Sequence, residues 1–261
     1  MSRYSSTRNG SGYCLPTTNS GTMIRTILFF SFFWVSLLLA APLSLPFLLA
    51  EVLGLKRFSR PFMGWLIGFW CRVILKAAGT RLSVEGTHNV PVTGPAVFYP
   101  NHQGDLDIIL VLATVPRQLG FLAKKQTAYL PFLNLWMLAM GCVFIDRGNI
   151  SQGIKAISRG TANVKDGRAM CVFPEGTRSR GLRMLPFRNG SFRLATRAGA
   201  AIVPVTIDGA YKVWEEYRLI RPASVRVVIH EPIQTAGMGH EERKALPGRV
   251  RAIIAGALPA D

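Results

Sequence analysis

Three short blocks of this chain combine residue types suited to acid–base and anion-binding chemistry. In the first, YPNHQGDLDIILVL at residues 99–112, His102 and Asp107 stand five positions apart. On a regular helix that spacing puts two side chains about 140° apart, so they cannot face each other. They can meet if His102 lies in the loop entering a helix and Asp107 in its first turn. Asp107 then accepts the imidazole N–H, sets the tautomer, and stabilises the imidazolium formed when His102 takes a proton. The competing explanation for this block alone is a helix start with an incidental histidine and a capping aspartate.

The second block is GCVFIDR, residues 141–147, and the third is FPEGTRSRG, residues 173–181. Each is an apolar strand that ends in charge. Ligands of open α/β sheets bind outside the carboxyl ends of the strands, so one crevice can collect His102, Asp107, Arg147, Glu175 and Arg178. For either later block alone, a salt bridge in a surface loop explains the residues equally well. Between Glu175 and Asp208 lie Arg178, Arg180, Arg183, Arg188, Arg193 and Arg197 with no acidic residue. Arginine's planar fork suits phosphate oxygens and the lipid headgroup layer; a solvated basic face accounts for some of the six. The chain has no G-x-S-x-G elbow and no P-loop, and HEERK at His240 lacks the second histidine of a zinc protease. A His–Asp pair without a protein nucleophile points to a base acting on a hydroxyl that the substrate brings.

The elements that must position these blocks form an α/β pattern. Short β-rich runs at residues 96–99, 118–122, 142–145, 169–173, 201–207 and 225–229 alternate with helical ones. Ile150, Ile154, Ile157 and Val164 recur at helical spacing, as on a helix lying over a sheet. Strands alternating with helices predict a largely parallel mixed sheet covered by helices. We expect a disordered polar head at residues 1–23, a membrane-associated helical segment at 24–79 and an α/β domain at 80–261.

The head precedes an uncharged run, TILFFSFFWVSLLLAAPLSLPFLLA at residues 26–50. As one helix it would reach roughly 38 Å, longer than the ~30 Å hydrocarbon core. A second oily stretch at residues 61–78 is interrupted by Arg72 and Lys76 and has the character of an interfacial helix. A cleaved signal peptide fits poorly, because the apolar run is too long and its polar head too extended. A single span is the main rival to a helical pair that enters and leaves one leaflet. Basic residues flank the run on both sides (Arg3, Arg8 and Arg25 before, Lys56, Arg57 and Arg60 after), so charge does not set an orientation, and Pro42 and Pro46 suit the pair.

Composition narrows the partners. The 261 residues are 49% hydrophobic and 17% charged, with 31 Lys+Arg against 14 Asp+Glu and a formal net charge of +17. That balance excludes a disordered protein and calls for an anionic partner. A mean hydropathy of +0.25 turns that partner toward a membrane surface and away from nucleic acid. The four cysteines, Cys14, Cys71, Cys142 and Cys171, form no CxxC pair and share no metal-ligand spacing with the four histidines. We therefore expect no metal site and no disulfide framework, as befits a reducing, cytoplasm-facing catalytic portion.

NHQGDLD at residues 101–107, GCVFIDR, FPEGTRS at 173–179 and IVPVTI at 202–207 resemble, in order, the four motifs of the glycerolipid acyltransferases. AKKQTAYLPFL at 123–133 and LPFRNGSFRLA at 185–195 also look like segments of that family, and the resemblance extends over residues 95–232. The likeness is strongest to the bacterial branch that acylates 1-acyl-sn-glycerol-3-phosphate. The chain departs from the pattern at Gly104, where serine is common, and at Gln126, where glutamate is common; altered loop packing is expected at Gly104.

The resemblance implies a membrane-bound enzyme that moves a fatty acyl group from a thioester, acyl-CoA or acyl-carrier protein, to the sn-2 hydroxyl of lysophosphatidic acid. It implies His102 as general base oriented by Asp107. Arg178, Arg147 and Lys124 or Lys125 would hold the phosphate, and Glu175, Gly176 and Thr177 would shape the acceptor site, with backbone N–H groups of Glu175 and Gly176 as oxyanion donors. No cofactor beyond the donor is implied. A bacterial inner membrane, with the catalytic domain on the cytoplasmic side, is the expected location. Acylation of lyso-ornithine lipid or another lysophospholipid is the alternative activity, and a non-enzymatic binder of anionic lipid the alternative class.

Overall fold

The computed structural model describes residues 20–146 and 148–259. Seven strands form one sheet: β1 (Arg81–Glu85), β2 (Ala96–Pro100), β3 (Leu119–Lys124), β4 (Val143–Ile145), β5 (Ala169–Cys171), β6 (Ala201–Asp208) and β7 (Ser224–Ile229). Their order is β1-β7-β6-β2-β5-β3-β4, and only the β6–β7 pair is antiparallel. This is the largely parallel mixed sheet expected. The edge strand β1 was not foreseen, because RLSVE offers only two apolar residues to an alternating pattern.

Helices cover both faces because the central strands bury both. Along β2, Phe98 joins one core with helix α4 (Asp107–Thr114), α5 (Leu133–Ala139) and the N-terminal helices. Val97 and Tyr99 join the other, with α6 (Ile150–Lys165), α7 (Arg193–Ala198) and α8 (His240–Gly256). A continuous apolar strand is what two covered faces require. Helix α6, expected from its spacing, is capped by Asn149, whose side chain accepts the Gln152 N–H at 3.1 Å.

The apolar N-terminus does not form one long helix. Helix α1 (Ser20–Ala40) stops at a 3-10 turn over Ala41–Leu43 that contains Pro42, followed by α2 (Ser44–Val52) and α3 (Lys56–Ala78). The α1 and α3 helices are antiparallel: Arg25 donates to the Ala78 carbonyl at 3.1 Å, and Trp70 Nε1–H donates to Ser36 Oγ at 3.1 Å. One correction follows. Helix α1 begins at Ser20, inside the stretch expected as disordered head; residues 1–19 lie outside the described residues. Of the basic residues that follow the apolar run, Lys56 and Arg60 are paired with acids of the protein. Arg60 pairs with Glu51 at 2.9 Å and Asp166 at 2.6 Å, and Lys56 with Asp166 at 3.1 Å.

The outer faces of this pair remain apolar and exposed, with Ile27, Leu28 and Leu39 on α1 and Phe58, Phe62, Trp65 and Phe69 on α3. Phe62, Trp65 and Phe69 stack in sequence, with ring centroids 5.8 and 6.0 Å apart. A contiguous apolar surface of this kind marks a membrane or protein contact.

Candidate active site

Parallel pairing brings the first and third blocks together. Strands β2 and β5 are neighbours with Phe98 opposite Cys171, so counting outward places His102 level with Glu175. His102 leaves β2 in a loop, and Asp107 opens α4, where a carboxylate also suits the helix dipole. The two meet as the spacing required: His102 Nδ1 lies 2.8 Å from Asp107 Oδ2. The same oxygen accepts the Gly104 N–H at 2.7 Å. Asp107 is fully buried, and that burial pushes its carboxyl up, while the His102 hydrogen bond pulls it down.

Glu175 does more structural work than its motif suggested. It is buried, its Oε1 accepting the His102 N–H at 2.6 Å and its Oε2 the Leu185 N–H at 2.8 Å. Burial raises its carboxyl, and those two N–H groups lower it. Phe173 stacks on the imidazole with centroids 4.0 Å apart, leaving the ring one apolar wall. The backbone N–H groups of Ser179 and Arg180 donate to the carbonyls of His102 and Gln103 at 2.8 and 3.2 Å, so the loops after β2 and β5 are sewn together.

Arg178 reaches this junction, where its guanidinium contacts the Asp105 carboxylate and stands 4.0 Å from Glu215. Gly176 adopts a left-handed φ of +73°, and a Cβ there would meet Arg188 Nε at 2.7 Å. Its N–H donates to the Phe173 carbonyl at 3.1 Å, which corrects the expectation that it is free for an oxyanion. The N–H group of Glu175, the other expected donor, and those of Thr177 and Arg178 have no protein acceptor among the described residues. Thr177 is exposed.

The remaining expected residues stand farther along the sheet. Lys124 ends β3 and Lys125 follows it, two strand spacings or roughly 10 Å from β2. Both are exposed, and Lys125 pairs with Asp146 at 3.8 Å. The second block closes edge strand β4, a further spacing away; Arg147 lies outside the described residues.

Three residues of the site carried no sequence signal that we used. Asn101 donates to and accepts from Ile207 of β6 at 2.9 and 2.7 Å, and Gln103 accepts the Ala210 N–H at 3.1 Å. Both flank His102 and are buried, so polar side chains on either side of the histidine were an available clue. Glu215, whose Oε1 accepts the Asp105 N–H at 2.5 Å, had none.

Next to the site, a cavity of about 390 Å³ opens between α6 and α7. Its floor is apolar, with Leu122, Ile157 and Val172, and its rim carries Arg188, Arg193 and Arg197. Phe173 is part of its wall. The free thiols of Cys142 and Cys171 are poor nucleophiles: burial pushes Cys142 up to about 12 and Cys171 well up. Among the described residues, no group of three His, Cys, Asp or Glu side chains is placed to hold a metal.

A buried aspartate orienting a histidine at the carboxyl ends of a parallel sheet, with arginines alongside, defines a class, and comparison with known proteins agrees with it. Residues 81–208 match the family model described as Acyltransferase. Relatives of the chain include the 1-acyl-sn-glycerol-3-phosphate acyltransferase alpha of Mus musculus, 32% identical over 177 residues, which are 66% of this chain and 62% of that protein. The 1-acyl-sn-glycerol-3-phosphate acyltransferase of Borreliella burgdorferi is 27% identical over 181 residues, 69% of this chain and 72% of that protein. The chain spans about three fifths of the mouse relative and about half, 51%, of a chloroplastic relative from Arabidopsis thaliana. The crystal structure of the 1-acyl-sn-glycerophosphate (LPA) acyltransferase from Thermotoga maritima shares the fold, with a TM-score of 0.78, 24% identity, and coverage of 92% of this chain and 98% of that one.

Proposed function

We propose that the protein transfers a fatty acyl group from a thioester, acyl-CoA or acyl-carrier protein, to the sn-2 hydroxyl of lysophosphatidic acid, giving phosphatidic acid. The observation that carries this is the 2.8 Å contact between His102 Nδ1 and buried Asp107, which directs Nε2 to a substrate proton. As the hydroxyl oxygen attacks the thioester carbonyl, Nε2 takes the hydroxyl proton. When the tetrahedral intermediate collapses, the C–S bond breaks and the imidazolium returns the proton to the departing thiolate. The N–H groups of Thr177 and Arg178 are suited to the oxyanion. Arg178 holds the acceptor phosphate, exchanging Asp105 for it, while Lys124, Lys125 and Arg147 add positive charge farther along the strand ends. Glu175, Gly176 and Thr177 shape the acceptor side. The apolar faces of α1 and α3 seat the protein on a bilayer, the bacterial inner membrane, with the site toward the cytoplasm. The cavity between α6 and α7 takes the donor, its arginines meeting the phosphate that CoA and carrier protein both carry. The family relatives named for 1-acyl-sn-glycerol-3-phosphate support the choice of acceptor.

The test is acyl transfer by purified protein with both donors against a panel of lysolipids. Phosphatidic acid should form from lysophosphatidic acid, and Arg178→Ala should impair phosphate-bearing acceptors most. Preference for lyso-ornithine lipid would overturn the acceptor. Normal turnover by folded His102→Ala would overturn the base, and lipid binding without any transfer would leave a non-enzymatic binder.

A further inference from the structure

The chemistry described so far makes no use of Glu215, a buried acid in the connection between β6 and β7. It lies 110 residues along the chain from Asp105, yet its Oε1 accepts the Asp105 N–H at 2.5 Å. Its carboxylate packs directly on the α-carbon of Gly104: a Cβ built there would meet all three carboxylate atoms, with Oε1 the farthest at 2.7 Å. The other oxygen, Oε2, has no hydrogen-bond partner among the described residues. Glu215 therefore occupies the space that a serine would take at position 104.

The turn beneath it carries the catalytic alignment. The Gly104 N–H and His102 Nδ1 converge on the same oxygen of Asp107, at 2.7 and 2.8 Å. The charged groups facing Glu215 are Asp105 and Asp107 from the turn and Arg178 from the segment after β5, whose guanidinium is 4.0 Å away. Its own neighbour Glu216 is exposed. Burial first, then the two aspartates, pushes the Glu215 carboxyl up to about 7, while the Asp105 N–H pulls it down.

We propose that Glu215 is a positioning residue matched to Gly104: it holds the turn that aligns Asp107 with His102, and its charge orients Arg178 toward an anionic acceptor. The ionised form does both. Protonation keeps the bulk of the side chain and removes the charge behind Arg178. The proposal extends the acyl-transfer reading and uses that assay in part.

Its test compares Gly104→Ser, Glu215→Ala, the double variant and Glu215→Gln. Either of the first two should lower kcat by about 10- to 100-fold, the scale of a small misplacement at a catalytic group. The double variant should recover to within about threefold of the parent, because the serine fills the vacated space; such rescue is the signature of coupled neighbours. Glu215→Gln should keep kcat within a few fold, since its carbonyl still accepts the Asp105 N–H. It should raise the KM for lysophosphatidic acid by about tenfold, the order expected of a lost charge partner, and remove one proton from the acid limb of kcat/KM. Losses that add in the double variant would overturn the match with Gly104. An unchanged KM and pH profile in Glu215→Gln would overturn the role toward Arg178. The imidazole nitrogen shifts of 15N-labelled histidine give a readout free of turnover: Gly104→Ser should move the His102 signals and the double variant should restore them. If the parent protein transfers no acyl group, the functional reading fails and these shifts still decide the positioning.

Discussion

The turn bearing His102 and the arginine-rich segment after β5 are neighbours held in opposite ways. In the turn and its supports, Asn101, Gln103, Asp107, Glu175 and Glu215 are all buried, and each accepts at least one backbone N–H. In the segment, Arg180, Arg183, Arg188, Arg193 and Arg197 are exposed, and none has a carboxylate partner among the described residues. Proton transfer tolerates little misalignment, whereas attraction of an anion needs only charge within reach. Changes in the turn should therefore be severe and coupled, and changes in the segment mild, additive and sensitive to salt.

The largest expected effect is that of Asp107→Asn. The amide is close in shape, but it offers an N–H where the imidazole needs an acceptor, so the tautomer is wrong for a base at Nε2. A loss in kcat of about 10⁴-fold is expected, the scale seen where an orienting carboxylate is replaced in this way. Kinetics with a parallel melting curve provide the check; a loss under tenfold would remove the distinction between the two regions.

Next comes the cost of holding Glu215 in the turn. In the unfolded chain its carboxyl titrates near 4.5, and in the folded protein near 7. Between these values the folded state keeps a proton that the unfolded state has released, so stability falls as pH rises from about 4.5 to about 7. The loss should be of the order of 3 kcal/mol. Glu215→Gln, which does not titrate, should flatten that part of the stability curve in denaturant titrations, and an unaltered slope would count against the burial.

Glu175→Gln should act on both stability and rate. The carboxylate accepts from His102 and Leu185 through separate oxygens, and an amide must turn its NH₂ toward one of those donors. One buried N–H is then left unsatisfied, at about 1–3 kcal/mol. A lower melting temperature together with a lower kcat is expected; a change in the melting temperature alone would make Glu175 a support that catalysis does not feel.

What could be foreseen from the sequence follows the same division. His102 and Asp107 could be paired because five residues of local chain decide their geometry, and six of the seven strands show as apolar runs. Glu215 behind Gly104 and Asp166 beside Arg60 depend on contacts between segments far apart in the chain, which no local pattern encodes. Gly104 alone hinted at such a contact, as a departure from its motif at the position where the Glu215 carboxylate packs. The break of the first apolar run was hinted at by Pro42.

The smallest effects belong to the arginines at the cavity proposed for the donor. Arg193 and Arg197 rim it from one face of α7 and are exposed. An ion pair made there with a donor phosphate is solvated and screened, so each is worth about 0.2–1 kcal/mol. Arg193→Gln and Arg197→Gln should each raise the donor KM by up to about fivefold, the equivalent of that energy, and multiply in the double variant. The acceptor KM should stay put, and the effect should fade as salt shortens the reach of the charges. Acyl-pantetheine, which carries the same thioester arm without its phosphate, should respond to neither substitution. If it responds as acyl-CoA does, the arginines serve packing and not charge. If the acceptor KM moves instead, the cavity belongs to the lysolipid, and the two substrates must approach His102 from the same side.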